Sequence, residues 1–272
     1  MHPYLNLFGF ELPAFGLMTI AGLAVATGII ALRAKRYGFE LYDPMLVVCI
    51  ATVGGIAGAF IIKPIIRLPG LIINWDVYLQ IPLRDFIAWY FGGLVFYGGL
   101  IGGMAAAMLY CRYFKLPALK IADLAAPAIP IGHALGRIGC FLGGCCYGVQ
   151  VSVSHPFAVI YPERTDRFDM MVAPAGLPLL AIPIIEAAIN LLIACLLLLI
   201  ERKNKRQGQC LAIYGLLYSI QRFTLEFFRG DIDRGFALGM STSQWISIFI
   251  FGGSILFFIL IKTSIGTRLQ QF

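Results

Sequence analysis

Residues 180–200 read LAIPIIEAAINLLIACLLLLI, a run in which Glu186 is the one charged side chain. At about 1.5 Å rise per residue, a helix of that length is about 30 Å long and matches the hydrocarbon core of a bilayer. Six further segments read the same way: 14–32, 44–62, 86–110, 121–142, 210–228 and 244–262. The expected fold class is an all-α polytopic membrane protein with seven transmembrane helices, a single transmembrane domain over 1–272, and short extracytoplasmic loops or a small head region. Composition agrees, because 60% of the 272 residues are hydrophobic and 13% charged, with a mean hydropathy of +0.85. An ordinary cytosolic domain is excluded. The first segment lacks a basic leader and is too long for a cleaved signal, so it reads as a retained span. The fourth holds Pro127, Pro130, Gly132, Gly136 and Gly139 with His133 and Arg137, which predicts a bent or broken helix lining a cavity.

Lys and Arg number 21 against 14 acids, a net charge of +7. In a membrane protein such an excess marks cytoplasmic loops rather than nucleic-acid binding. Seven spans put the termini on opposite sides. With the N-terminus outside, the inner side holds Arg33, Lys35, Arg36, Arg112, Lys115, Lys120, Arg202, Lys203, Lys205, Arg206, Lys262 and Arg268. The outer side holds Lys63, Arg67, Arg84, Arg164, Arg167, Arg229 and Arg234. Twelve against seven predicts N-outside and C-cytoplasmic. The polar stretches 63–85, 143–179 and 229–243 then share the outer face, where a site would gather its loops.

Arg137 and Arg222 fall inside spans, where a charge costs about 2.5–3.5 kcal/mol on insertion scales and marks a functional site by default. His133, Glu186 and Glu226 join them. At about 100° per residue, Arg222, Glu226 and Arg229 share a helix face, as do His133, Arg137 and Cys140. The alternative for Arg222 and Glu226 is a simple i,i+4 ion pair or a pair reaching the headgroups. Glu186 divides between a pocket carboxylate and an interfacial residue. Two arginines beside carboxylates suit a phosphodiester, since each guanidinium offers a planar fork of donors to anionic oxygens. That points to an anionic phospholipid headgroup. Glycines at 92, 93, 98, 99, 102 and 103, and from Gly132 through Gly148, would admit close approach of lipid or backbone; Gly98 with Gly102 and Gly99 with Gly103 also fit small-residue helix packing.

The run from Gly136 to Gly148, GRIGCFLGGCCYG, resembles the signature of the bacterial prolipoprotein diacylglyceryl transferase family, whose usual form is G-R-x-G-N-F-x-N-x-E-x-x-G. Other patches follow in family order. Phe15-Gly16-Leu17-Met18 resembles Y-G-L-M, and 96–102, FYGGLIG, resembles F-H-G-G-L-I-G. Leu177-Pro178 through Glu186-Ala187 resembles V-P-L-Y-P-x-Q-L-Y-E-A. Residues 222–229, RFTLEFFR, match R-F-x-x-E-F-F-R, and Met240-Ser241 to Gln244 matches M-S-x-x-Q. The resemblance spans nearly the whole chain.

It implies a multi-pass enzyme of the bacterial cytoplasmic (inner) membrane that moves the diacylglyceryl group of phosphatidylglycerol onto the lipobox cysteine of a preprolipoprotein, whose signal peptide enters laterally. A thioether forms and glycerol phosphate leaves. The implied catalytic residues are Arg137, Arg222, Tyr97 and Glu226. The implied substrate-binding residues are Arg137, Glu186, Gly98, Gly99, Cys140 and Arg229, with no cofactor and no metal. The departures fall on one side of the reaction. Tyr97 stands where the family has His, Phe15 where it has Tyr, Pro183 where it has Gln, and Cys140, Gly143 and Cys145 where it has Asn, Asn and Glu. A phenol with a reference pKa of about 10 is a poor base near neutral pH. Both arginines and both later carboxylates persist, so phosphate recognition is retained while the groups near the acceptor thiol change.

Seven cysteines make no even disulfide framework. Cys49, Cys111, Cys195 and Cys210, in or beside apolar runs, read as inert core residues. Cys140, Cys145 and Cys146 have three open readings: packing on a glycine-rich turn, a disulfide from Cys140 to Cys145 or Cys146 on an oxidising face, or, with His133, a metal site or acceptor thiol. A Cys-x4-Cys-Cys spacing is unusual for structural zinc. Two rival functions stand beside the transferase: a lipid-binding or transport protein on the same scaffold, and a thiol- or metal-handling membrane protein. No GxSxG elbow, Walker loop or H-E-x-x-H helix occurs, which disfavours an α/β serine hydrolase, an ATPase and a zincin.

Overall fold

The computed structural model describes residues 3–7, 9–91, 95–163, 173–202, 206–231 and 235–263. Gly92, Gly93, Arg164, Arg167, Lys203, Lys205, Arg234 and Arg268, used in the expectations above, lie outside the described residues. A hairpin of β1 (Tyr4–Leu7) and β2 (Phe10–Pro13) leads into α1 (Ala14–Ala34), and a short 3-10 turn follows at Lys35–Tyr37. Then come α2 (Tyr42–Ile73), α3 (Trp75–Tyr78), α4 (Leu83–Phe91), α5 (Phe96–Tyr113), α6 (Ala118–Ala125) and α7 (Ala128–Gly143). The chain continues through β3 (Ala158–Ile160), β4 (Pro178–Leu180), α8 (Ile182–Ile200), α9 (Gln209–Glu226), β5 (Phe236–Ala237), β6 (Met240–Ser241) and α10 (Thr242–Lys262). Among the described residues, four helical stretches are long and apolar enough to cross a membrane: Ala14–Tyr37, α2, α8 and α10. Their outward faces carry large apolar side chains such as Leu192, Leu199 and Phe249, each at least 60% exposed. Water would penalise that surface at about 25 cal/mol per Å², and lipid tails would not.

The chain divides into two compact units, residues 1–33 with 119–271, and residues 34–118. In the second unit α2 and α5 pack along a seam of glycines. A Cβ on Gly58 would fall on the Gly98 carbonyl oxygen and one on Gly54 would overlap that of Gly102, while Gly55 and Gly99 stand in tight contact at 3.3 Å. This is the small-residue packing that lets membrane helices approach backbone to backbone. The helix α2 exceeds its expected span, continuing through Pro64 and Pro69 to Ile73. The expectation of a polar loop over 63–85 is therefore corrected: Lys63 and Arg67 lie on helix. The short α4 folds back on this extension, with Arg67 4.4 Å from the Trp89 ring centroid and the Tyr90 hydroxyl donating to the Pro64 carbonyl at 3.1 Å. The expected span 86–110 is interrupted, because Val95 is extended (φ −98°, ψ 113°) just before α5.

In the first unit, the expected break in segment 121–142 is present between α6 and α7. Pro127 has no N–H to continue the ladder and disfavours helix in the residue before it. Asp123, buried in α6, accepts from the Gly208 N–H at 2.7 Å and the Leu211 N–H at 2.9 Å, and so caps the start of α9. Arg33 donates to the Leu124 carbonyl at 2.6 Å and pairs with Glu201. It was counted among loop charges, yet it is mostly buried. Around these contacts Ala126, Ile193, Leu197 and Cys210 form a core with Ile213 and Leu217 packed on it. At the other end of the unit, β3 and β4 pair antiparallel, and Tyr161, Ala173 and Leu179 form a small core beneath Tyr147 and Val159. A head region was expected; its strands were not.

Two of the family-like patches are structural. Ser241 Oγ accepts from the Gln244 N–H at 3.2 Å, and Gln244 Oε1 accepts from the Ser241 N–H at 2.9 Å. The M-S-x-x-Q pattern is thus a capping box that starts α10. Met18 and Phe15 lie where a Cβ on Gly139 would sit, so the F-G-L-M patch packs α1 on the signature helix. Cys49 and Cys195 are exposed on the apolar surface, whereas Cys111 and Cys210 are buried. The expectation that all four are core residues is corrected for the first two.

Candidate functional site

The polar side chains that apolar helices should not contain converge in the first unit. Glu186 lies one turn into α8 and is 1% exposed. Its position is pinned through its backbone: its carbonyl accepts from Asn190 Nδ2 at 2.9 Å and from Gln221 Nε2 at 3.2 Å, which ties α8 to α9. Arg137 Nε stands 3.1 Å from Glu186 Oε1. The N–H of that nitrogen is aimed at His133 Nε2, 3.1 Å away and one turn back on α7. The Glu186 contact is therefore Coulombic without a hydrogen bond, and both Glu186 carboxylate oxygens are buried with no hydrogen-bond partner. His133 Nε2 lies 3.6 Å from the same carboxylate, and its ring centroid is 5.8 Å from that of Tyr218.

Arg222 lies near the end of α9. Its Nη2 donates to Ser243 Oγ at 2.8 Å and stands 3.1 Å from Glu226 Oε2, the i,i+4 pair foreseen from spacing. Its Nη1 is buried with no hydrogen-bond partner. A guanidinium N–H left unmet in this way costs about 1–3 kcal/mol or more, so the arrangement is suited to an anion that arrives from outside. Both Arg137 and Arg222 lie within electrostatic reach of His133.

Arg229 departs from its expected place. The helix α9 ends at Glu226, so Arg229 lies past its end and off the face of Arg222. It makes a two-pronged pair with Asp231, one arm being Nε to Oδ1 at 2.9 Å. The backbone there is stitched to the signature loop. The Gly230 N–H donates to the Tyr147 carbonyl at 3.0 Å, the Val149 N–H to the Phe228 carbonyl at 2.9 Å, and the Gly148 N–H to the Leu180 carbonyl at 2.9 Å. A Cβ on Gly230 would fall on the Gly148 carbonyl oxygen. Only glycine lets these two strands of chain meet.

That stitching brings Arg229 and Arg137 within electrostatic reach of Cys146, and Arg137 within reach of Cys140. Among the described residues the three thiols Cys140, Cys145 and Cys146 converge, their sulfurs all within 4.8 Å of one another, and every cysteine is free. His133 does not join them; it belongs to Arg137 and Glu186. Hydrogen bonds from the Cys140 and Cys145 thiols, then the charges of Arg137 and Arg229, hold the Cys146 thiol far below its usual range against the opposing effect of burial. Burial, with these sulfurs beside it, pushes the Tyr161 phenol up to about 12. Tyr97, Gly98 and Gly99 belong to the second unit, in the first turn of α5, where the two glycines pack against α2.

Asn190, Gln221, Ser243, Asp231 and Tyr161 complete the site and were not singled out from sequence. The first two carried a readable signal, as uncharged polar residues within apolar runs, Asn190 standing one turn from Glu186. Ser243 and Asp231 carried none beyond proximity to motifs.

A family model described as prolipoprotein diacylglyceryl transferase matches residues 3–260. The chain is 33% identical over 256 residues to a Clostridium perfringens protein named phosphatidylglycerol–prolipoprotein diacylglyceryl transferase 2, covering 93% of this chain and 92% of the relative. It is 32% identical over 250 residues to a Clostridium tetani protein of that name without the numeral, covering 92% and 93%. A Campylobacter curvus protein of that same name is 29% identical over 276 residues, covering 94% and 92%.

Proposed function

The chain belongs to the prolipoprotein diacylglyceryl transferase family, and from that premise we propose that Arg137 and Arg222 together grip the phosphodiester of phosphatidylglycerol. The reaction is transfer of the diacylglyceryl group from that lipid to the lipobox cysteine thiol of a preprolipoprotein, in lipoprotein maturation. The acceptor thiol gives its proton to solvent, its sulfur attacks the glyceryl carbon, a C–S bond forms, the C–O bond to phosphate breaks, and glycerol phosphate leaves. Negative charge grows on the leaving phosphate. Preorganised donors aimed at such charge supply a large share of catalysis, each worth about 10²–10³ in rate.

The observation that carries the proposal is the buried Arg222 Nη1 with no partner; Arg137, whose Nε is engaged by Glu186 and His133, lies with Arg222 within electrostatic reach of that same His133. Glu186 and Glu226 orient the arginines and balance their charge in hydrocarbon. Arg229, clamped by Asp231, adds positive potential where the headgroup enters. Tyr97, Gly98 and Gly99 take their substrate role from the motif's resemblance, with Tyr97 as a hydrogen-bonding rather than basic group. Cys140 borders Arg137 on the acceptor side.

The architecture proposed around this site is one seven-span transmembrane domain over 1–272, N-terminus outside and C-terminus cytoplasmic, in the bacterial inner membrane. The partners are phosphatidylglycerol or a similar anionic phospholipid and the signal peptide of the preprolipoprotein. The test is transfer from labelled phosphatidylglycerol to a lipobox peptide by the purified full chain. Wild-type protein is expected to transfer, and Arg137→Ala and Arg222→Ala to abolish transfer while remaining folded. Lipid binding without transfer by wild-type protein would instead identify a lipid-binding protein on this scaffold.

A further inference from the structure

Three thiols, two of which (Cys140 and Cys145) replace polar letters of the family signature, meet at one point, and the transfer reaction as derived above gives none of them a chemical step. Cys140 comes from the last turn of α7. Gly144, at φ +71°, ends that helix, and the chain reverses so that the Cys145 N–H donates to the Cys140 carbonyl at 3.1 Å. Cys146 then takes φ +58°, a conformation that non-glycine residues seldom adopt and that costs about 1 kcal/mol or more. The result is three sulfurs within 4.8 Å of one another, with Cys140 buried and the other two half-buried. Tyr161, 2% exposed, lies within electrostatic reach of all three, and its hydroxyl is buried with no hydrogen-bond partner. A polar group left unmet against a thiol cluster marks a place where a further ligand belongs.

We propose that Cys140, Cys145 and Cys146 bind one thiophilic divalent cation of the zinc type, whose fourth position takes the acceptor thiol. Zinc–sulfur bonds of about 2.3 Å put tetrahedral ligands about 3.8 Å apart, so the sulfurs need close by no more than about an ångström. Three thiolates around a divalent ion carry one net negative charge, and Arg137 and Arg229 stand beside it. Three protein ligands are also the number that leaves a zinc ion open to a fourth. In the transfer reaction, the incoming S–H gives its proton to solvent as the sulfur binds the ion. That sulfur then forms the C–S bond as glycerol phosphate departs, and the metal's oxidation state is unchanged. This supplies the thiol activation that Tyr97 is poorly suited to provide, and it rests on the transferase reading.

The experiment measures zinc bound to the purified full chain, and the charge-transfer absorption of the cobalt-substituted chain. Cys49, Cys111, Cys195 and Cys210 are replaced by Ser or Ala in a background variant, so that the three clustered thiols alone report. One ion per chain and a thiolate-to-cobalt band are expected. Both are expected to be lost in Cys140→Asn, which installs the family's own letter, and in Cys145→Ser and Cys146→Ser. Addition of a lipobox peptide should perturb the cobalt band. Failure to bind zinc or cobalt under reducing conditions would overturn the proposal, as would two of the three thiols being found in a disulfide that reduction does not convert to a metal site. Zinc binding with no transfer would leave the metal site standing and sink the transferase reading. Transfer at full rate by metal-free protein would do the reverse.

Discussion

Replacing Glu186 by Gln keeps the shape of the side chain and removes its charge. The carboxylate is 1% exposed and its nearest cation, Arg137 Nε, is 3.1 Å away with its side chain 15% exposed. Removing one partner of a buried pair costs about 3–5 kcal/mol, because the remaining charge is left uncompensated. Here His133 still accepts from Arg137, and the guanidinium has some access to solvent, which puts the expected loss near the lower figure, about 3 kcal/mol. The backbone bonds from Asn190 and Gln221 to residue 186 are untouched by the substitution, so α8 and α9 should stay together. Activity should fall further than stability accounts for. An arginine held at Nε by His133 alone, without the Glu186 charge, shifts from the leaving phosphate, and an error of about 1 Å costs about 100-fold. Thermal unfolding in detergent and transfer rate at a temperature where both proteins are folded measure the two effects separately. A variant within 0.5 kcal/mol of wild type that transfers at an unaltered rate would refute the reasoning that Glu186 positions Arg137.

Gly58→Ala puts a methyl group onto the Gly98 carbonyl in the α2–α5 seam and should destabilise by about 1–3 kcal/mol; Gly28→Ala, in open space on α1, should be neutral or stabilising in the same melt. Asp123→Ala leaves the Gly208 and Leu211 N–H groups unmet at the start of α9, with an expected loss of about 0.5–2 kcal/mol and faster hydrogen exchange over 208–212. Gly230→Ala forces Gly148 away from the end of α9, and is expected to reduce transfer more strongly than it lowers the melting temperature.

Much of this site was legible because hydrocarbon makes ionisable residues conspicuous. Arg137, Glu186, Arg222 and Glu226 stand out of apolar runs by type alone, and helical spacing already pairs Arg222 with Glu226. The interruption at Pro127 was legible for the same kind of reason, since proline lacks the donor a helix needs. What escaped depends on where helices stop and turn. Spacing put Arg229 on a face with Arg222, but α9 ends at Glu226 and the chain turns to give Arg229 to Asp231. Hydrophobicity ended the second span near residue 62, whereas α2 runs on through two prolines. The three two-stranded sheets among the described residues are only two to four residues deep, too short for alternation to register. The meeting of the three thiols hangs on positive φ at Gly144 and Cys146, of which only the glycine advertises itself.

The central claim is that Arg137 and Arg222 act on one phosphate, and a double-mutant cycle on transfer rate tests it most directly. Lysine keeps the charge at each site and loses the planar fork. Arg137→Lys and Arg222→Lys are each expected to lower kcat/KM by about 10²–10³, with the double variant little worse than the poorer single one, as for groups that work as a unit. Transfer at the wild-type rate by either lysine variant, or losses that simply multiply, would contradict it.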